Sequence, residues 1–171
     1  ERVSLESDLR QALKQYQLNE RPGLANTGTF HSFGSHERSR SELTVCYQPI
    51  FDLETGRIAS IEALARWTHP TRGEISPDQF IAIAELSGMV VALGACVLRE
   101  ATCQAARWHT KHGAASPTIA VNLSRAQLEH DGIAAEIDAV LREARLAPEQ
   151  LVLEITETAI MQNADSTPVR L

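Results

Sequence analysis

Three short apolar runs, residues 58–67, 118–124 and 151–157, are separated by stretches in which apolar residues recur every three or four positions. The runs have the period of strands, and the stretches between them have the period of helices. Strands that alternate with helices pair in parallel through right-handed crossovers. The sequence therefore predicts an α/β fold in which consecutive strands lie side by side and helices cover one face.

The first of these runs is the most informative. From Arg57 to Trp67 the chain is apolar except at a few positions. In a strand Ile61, Ala63, Ala65 and Trp67 share one face, and Glu62, Leu64 and Arg66 share the other. The first face needs a core. The second places a carboxylate and a guanidinium about 13 Å apart, four residues along a strand, which suits two grips on one ligand better than mutual neutralisation. A carboxylate in a largely buried strand is costly unless it is paired or binds a metal.

The rest of the pattern reads in order. Residues 3–18 form a helix with Leu5, Leu9, Leu13 and Tyr16 on one face, packed on the body of the domain, with Ser4 as its cap. Residues 19–41, rich in Gly, Ser, Asn and charge, form a loop or flexible linker. Leu43 to Leu53 is a strand with Val45, Tyr47 and Phe51 on one side and Cys46, Gln48 and Ile50 on the other. Pro49 places it at an edge or a strand end. Glu54 to Arg57 is a turn with Gly56 left-handed, and 69–73 is a loop. Ser76 and Pro77 open a helix, and a longer helix runs from about Val90 to His109. Thr118 to Leu123 is a strand, Gln127 to Arg145 a helix capped by Ser124, and Leu151 to Ile155 a strand. A last helix starts at Ala159.

Several of these segments carry a family resemblance. Glu62-Ala63-Leu64, followed by Ala65-Arg66-Trp67, resembles the signature of the EAL domain, the bacterial family of cyclic di-GMP phosphodiesterases. Tyr47-Gln48-Pro49-Ile50, Val121-Asn122-Leu123-Ser124 and Glu154-Ile155-Thr156-Glu157 resemble further elements of the same family. The resemblance implies a TIM-barrel-like (β/α) fold over residues 42–171, preceded by the helix at 1–18 and the insertion at 19–41. It implies metal ligation by Glu62, Asn122 and Glu154, with Glu157 steadying a catalytic loop, so that Glu62, Glu154 and Glu157 are the expected catalytic set. It implies nucleotide contact by Gln48. Arg66 is suited to fork onto a phosphate, and Leu64 offers an apolar floor for base or ribose. Three oxygen donors without nearby His or Cys select a hard cation, Mg²⁺ or Mn²⁺. The implied reaction is hydrolysis of cyclic di-GMP to linear pGpG.

The family pattern also contains an Asp-Asp-Phe-Gly strand end, a lysine near the attacking water, a further glutamate and a late glutamine. The sequence has no paired aspartates. A barrel of eight strands takes about 250 residues, and 42–171 contains roughly half of one. The expectation is a fragment of a longer protein that is inactive alone. The alternatives are a half-barrel that closes as a homodimer and an inactive EAL-derived module that binds cyclic di-GMP or a protein partner. An upstream sensor or diguanylate cyclase domain is a further expected partner.

Composition narrows the setting. The net charge of −6 argues against a nucleic-acid polymer or an anionic membrane surface as partner. The longest apolar run, Met89 to Leu98, is too short to span a bilayer. Cys46, Cys96 and Cys103 form no CxxC pair; they read as small core residues, with Cys96 and Cys103 on a buried helix face, and as reduced thiols of a cytoplasmic protein. His109 and His112, three apart, read as cations at a helix C-terminus rather than as a metal site.

Overall fold

The computed structural model describes residues 2–19 and 41–155. The expected linker, Glu157 and the helix from Ala159 lie outside the described residues. Helix α1 (Arg2–Asn19) precedes strands β1 (Leu43–Phe51), β2 (Ile58–His69) and β3 (Gly73–Ile75). Helices α2 (Pro77–Leu86) and α3 (Val90–His112) lead to β4 (Thr118–Leu123). The short α4 (Arg125–Leu128) and α5 (Ile133–Ala144) precede β5 (Leu151–Ile155). The sheet order is β1-β2-β4-β5, with β3 pairing β2. β1 is antiparallel to β2, whereas β2 to β4 and β4 to β5 are parallel. The parallel pairings are those that alternating strands and helices predict, and the expected turn at Glu54 to Arg57 joins β1 and β2 as a hairpin.

One face of this sheet is the core face. Ala63, Ile119 and Val121 are buried with Leu98, Ala101 and Ala105 of α3 and Val140 and Leu141 of α5. A second cluster joins α1, α2 and the start of α3 to Leu43, Trp67 and Ile75. The stripe Leu5, Leu9, Leu13 and Tyr16 is buried there, so α1 packs on the body of the fold as expected. The opposite face is open: Cys46, Gln48, Ile50 and Val152 are exposed. Among the described residues, no helix is long and apolar enough to cross a membrane.

Five local expectations are corrected. The helix expected over 127–145 breaks, because the chain turns between α4 and α5 through Gly132, whose φ of 99° lies in the left-handed region. The polar run Glu129-His130-Asp131-Gly132, which ends in a turn-forming Asp-Gly pair, is the local signal of that break. Residues 73–75, of which Gly73 falls in the expected loop and Glu74 and Ile75 in no expected element, pair with β2 at Trp67↔Ile75 and bury Ile75; a three-residue strand has too few positions for a period. Ser4 is not a cap: α1 starts at Arg2, and the Ser4 hydroxyl donates to Asp8 at 3.3 Å. Cys46 is exposed on the open face and Cys96 and Cys103 are half-buried, so none of the three belongs to the fully buried core. Helix α3 also runs one turn further than expected, with His109, Lys111 and His112 in its last turn.

His69 joins α1 to the sheet. It is buried, and its Nδ1 accepts from the backbone N–H of Thr71 and of Arg72, each at 3.2 Å. A ring nitrogen that accepts carries no proton, so Nε2 holds it and donates to Asp8 Oδ2 at 3.3 Å. Replacing His69 with alanine leaves two amide donors without their acceptor and is expected to cost about 1–3 kcal/mol in urea denaturation. Asp8→Ala removes only a partly exposed partner and is expected to cost less than about 1 kcal/mol. Equal losses for the two variants would overturn this division. At the opposite end of β2, the hydroxyl and amide of Thr55 both donate to Asp52 at 2.7 Å and hold its carboxyl below the usual range.

Candidate active site on the open sheet face

Register, rather than proximity in sequence, assembles the site. Gln48 stands opposite Glu62, and Leu64 opposite Cys46. Glu62 is in register with Ala120, two residues before Asn122, and Asn122 is in register with Glu154. Side chains in register share a face, and alternate residues along a strand return to it. Gln48, Glu62, Leu64, Arg66, Asn122 and Glu154 therefore occupy the open face, opposite the helix-packed set Ala63, Ile119 and Val121. Neighbouring strands lie about 4.8 Å apart, so β2, β4 and β5 present their polar groups as a compact row.

Within that row Asn122 Nδ2 donates to Glu62 Oε1 at 2.6 Å. This bond partners the carboxylate that the strand pattern left without a neighbour. An amide offers nitrogen on one side and oxygen on the other, so the same Asn122 retains Oδ1 as an acceptor. Glu62, Asn122 and Glu154 are half-buried. Arg66 is half-buried as well, and its Nη1 donates to the backbone oxygen of Ala65 at 2.9 Å. Gln48 is exposed beside Glu62. Among the described residues, no group of three or more His, Cys, Asp or Glu side chains is placed to hold a metal ion; the row offers two carboxylates and one amide.

Gln127 escaped the sequence reading. It is 3% exposed, and its Oε1 accepts from both the backbone N–H and the hydroxyl of Ser124, at 3.1 and 3.0 Å. Together they form a capping box on α4. The signal was present as Ser-x-x-Gln, the spacing at which cap and third helical residue bond reciprocally.

The comparisons with known proteins agree with this architecture. The model of the EAL domain matches residues 35–170. The chain is 40% identical over 132 residues to the bifunctional diguanylate cyclase/cyclic di-GMP phosphodiesterase MucR of Pseudomonas aeruginosa, a match that covers 77% of this chain and 19% of that protein. It is 40% identical over 126 residues to the cyclic di-GMP phosphodiesterase NbdA of the same organism, covering 74% of this chain and 16% of that one. A solved structure described as PaMucR phosphodiesterase in complex with c-di-GMP has a TM-score of 0.73 at 35% identity, covering 95% of this chain and 56% of the other. The chain thus spans less than a fifth of these two curated relatives and somewhat over half of the solved chain. The parallel strands with helices on one face are part of the same TIM-barrel-like arrangement. With the match extending over most of its length, the chain belongs to the EAL domain family.

Proposed function

We propose that this chain carries part of the active site of a cyclic di-GMP-specific phosphodiesterase, which hydrolyses cyclic di-GMP to linear pGpG with Mg²⁺ or Mn²⁺. The observation that carries this reading is the Glu62–Asn122 contact with Glu154 in register beside it. Oxygen-only donors on three adjacent strands fit a hard divalent cation. Glu62, Glu154 and Asn122 through its Oδ1 would hold it. When bound, such an ion polarises a phosphoryl oxygen and lowers the pKa of a coordinated water.

The remaining roles belong to the chain itself. Arg66 leaves its bond to Ala65 and forks onto a phosphate oxygen pair, a contact that lysine cannot reproduce. Leu64, between Glu62 and Arg66, excludes water beneath the base or ribose. Gln48 orients the nucleotide from the neighbouring strand, and Glu157 steadies the loop after β5. In this reading the domain begins near residue 42, and an upstream sensor or diguanylate cyclase domain acts on it through α1. Three free thiols suit a cytoplasmic setting.

A second reading, a module that binds cyclic di-GMP or a protein partner without hydrolysing anything, is favoured by the small donor set of two carboxylates and one amide. For the chain alone, binding without turnover is the expected result. The test is calorimetric titration of the chain with cyclic di-GMP, with and without Mn²⁺, and chromatography for pGpG. Mn²⁺-dependent binding is expected, weakened in Glu62→Ala by more than the roughly 100-fold that loss of a supporting residue around a metal can cause. Binding that ignores both Mn²⁺ and Glu62→Ala would remove the metal-site reading, and brisk pGpG formation by the chain alone would contradict the expected inactivity. In the complete protein, turnover abolished by Glu62→Ala supports the enzyme, and tight binding without turnover supports the module.

A further inference from the structure

Asn122 is held against Glu62 from the open face, but its strand is also anchored from behind. Two residues after Asn122, the backbone N–H of Ser124 donates to Gln127 Oε1 at 3.1 Å, the Ser124 hydroxyl donates to the same oxygen at 3.0 Å, and Gln127 N–H donates to Ser124 Oγ at 3.3 Å. Between them Leu123 is 2% exposed. A cap for a four-residue helix normally sits in water, whereas the Gln127 carboxamide is buried. It fits because α3 has a glycine facing it: a Cβ built at Gly94 would fall on the Gln127 carboxamide. Burying an amide is unfavourable unless its polar atoms are bonded, and here the acceptor oxygen takes both Ser124 donors.

We propose that Gln127 is a positioning residue for Asn122: seated against Gly94 of α3, it fixes the C-terminal end of β4 and so sets where the Asn122 amide stands relative to Glu62. Its catalytic relevance rests on the site reading above. Its structural claim does not. Outer groups that orient ligands commonly change metal affinity by about 10–100-fold when removed, although they touch neither metal nor substrate.

The test uses the whole chain and the side-chain amide signal of Asn122 in ¹⁵N–¹H spectra, recorded without metal. In Gln127→Ala that signal is expected to shift toward the position of an exposed amide and to exchange with solvent faster. Gln127→Glu keeps an acceptor oxygen for both Ser124 donors and is expected to leave it in place. Thr102→Ala, which deletes a buried hydroxyl bonded to Leu98 O on α3, is expected to lower the melting temperature without moving the Asn122 signal. An unmoved signal in Gln127→Ala, or an equal shift in Thr102→Ala, would overturn the proposal. If Gln127→Ala does not fold, Ser124→Ala is read the same way, since it deletes two of the three hydrogen bonds and leaves Gln127 in place. Mn²⁺ affinity is the second readout: about 10–100-fold weaker in Gln127→Ala and near wild type in Gln127→Glu. A wild-type chain that binds no Mn²⁺ would defeat the function proposed above, while the Asn122 signal still decides the role of Gln127.

Discussion

Trp67→Ala is expected to destabilise the protein by about 3–5 kcal/mol, the range for truncating a fully buried large aromatic. Trp67 is 0% exposed. Its ring meets Phe80 edge-on at 6.1 Å and His69 at 5.7 Å, and its Nε1 donates to Glu42 Oε2 at 3.1 Å. The cavity would open where β2, α1 and α2 meet, and relaxation there is opposed by three separate elements. The burial and cavity terms dominate, because the ring pairs add only about 0.5–1.5 kcal/mol each and the indole hydrogen bond about as much. Against a typical total of about 5–15 kcal/mol, such a loss leaves little margin. Urea denaturation followed by far-ultraviolet circular dichroism checks it, and a loss below about 1 kcal/mol would show that the cluster does not hold the N-terminal elements together.

Gly94→Ala is expected to destabilise by about 2–4 kcal/mol, against the direction that helix propensity alone dictates. Alanine in a helix interior is favoured over glycine by about 1 kcal/mol. That gain is outweighed, because the new methyl would occupy the site of the Gln127 carboxamide. Overpacking costs about 1–3 kcal/mol, and evicting a buried carboxamide from its Ser124 donors costs about as much again. Thermal and urea denaturation of Gly94→Ala, Gln127→Ala and the double variant provide the check. The double variant is expected to recover part of the loss, since Gln127→Ala removes the atoms with which the methyl collides. A stabilised Gly94→Ala would mean that propensity wins and that the close approach is not tight.

The layout of the candidate site was largely legible because strands have period two. Once Glu62, Asn122 and Glu154 were each placed on the polar side of an apolar run, parallel pairing was enough to bring them onto one face, and β2, β4 and β5 pair as that requires. Leu5, Leu9, Leu13 and Tyr16 were similarly legible as a helical stripe. Less legible were features that depend on single residues against distant partners. His69 looked like the start of a loop, and only the turn at Thr71 and Arg72 together with Asp8 of α1 shows why it is buried. The break at Gly132, by contrast, does carry a local signal, the polar run Glu129-His130-Asp131-Gly132 that ends in a turn-forming pair.

By itself the sequence determined the element types, the α/β class and which side of each strand carries polar groups, because these follow from local periodicity and from the spacing of motifs. Tertiary structure alone decided that Asn122 donates to Glu62, that Arg66 turns back onto Ala65, and that Gln127 lies buried against Gly94. The physical reason is that strand register and helix packing are set by interactions between residues tens of positions apart. No local pattern of side chains encodes which atom a carboxylate or an amide will finally meet.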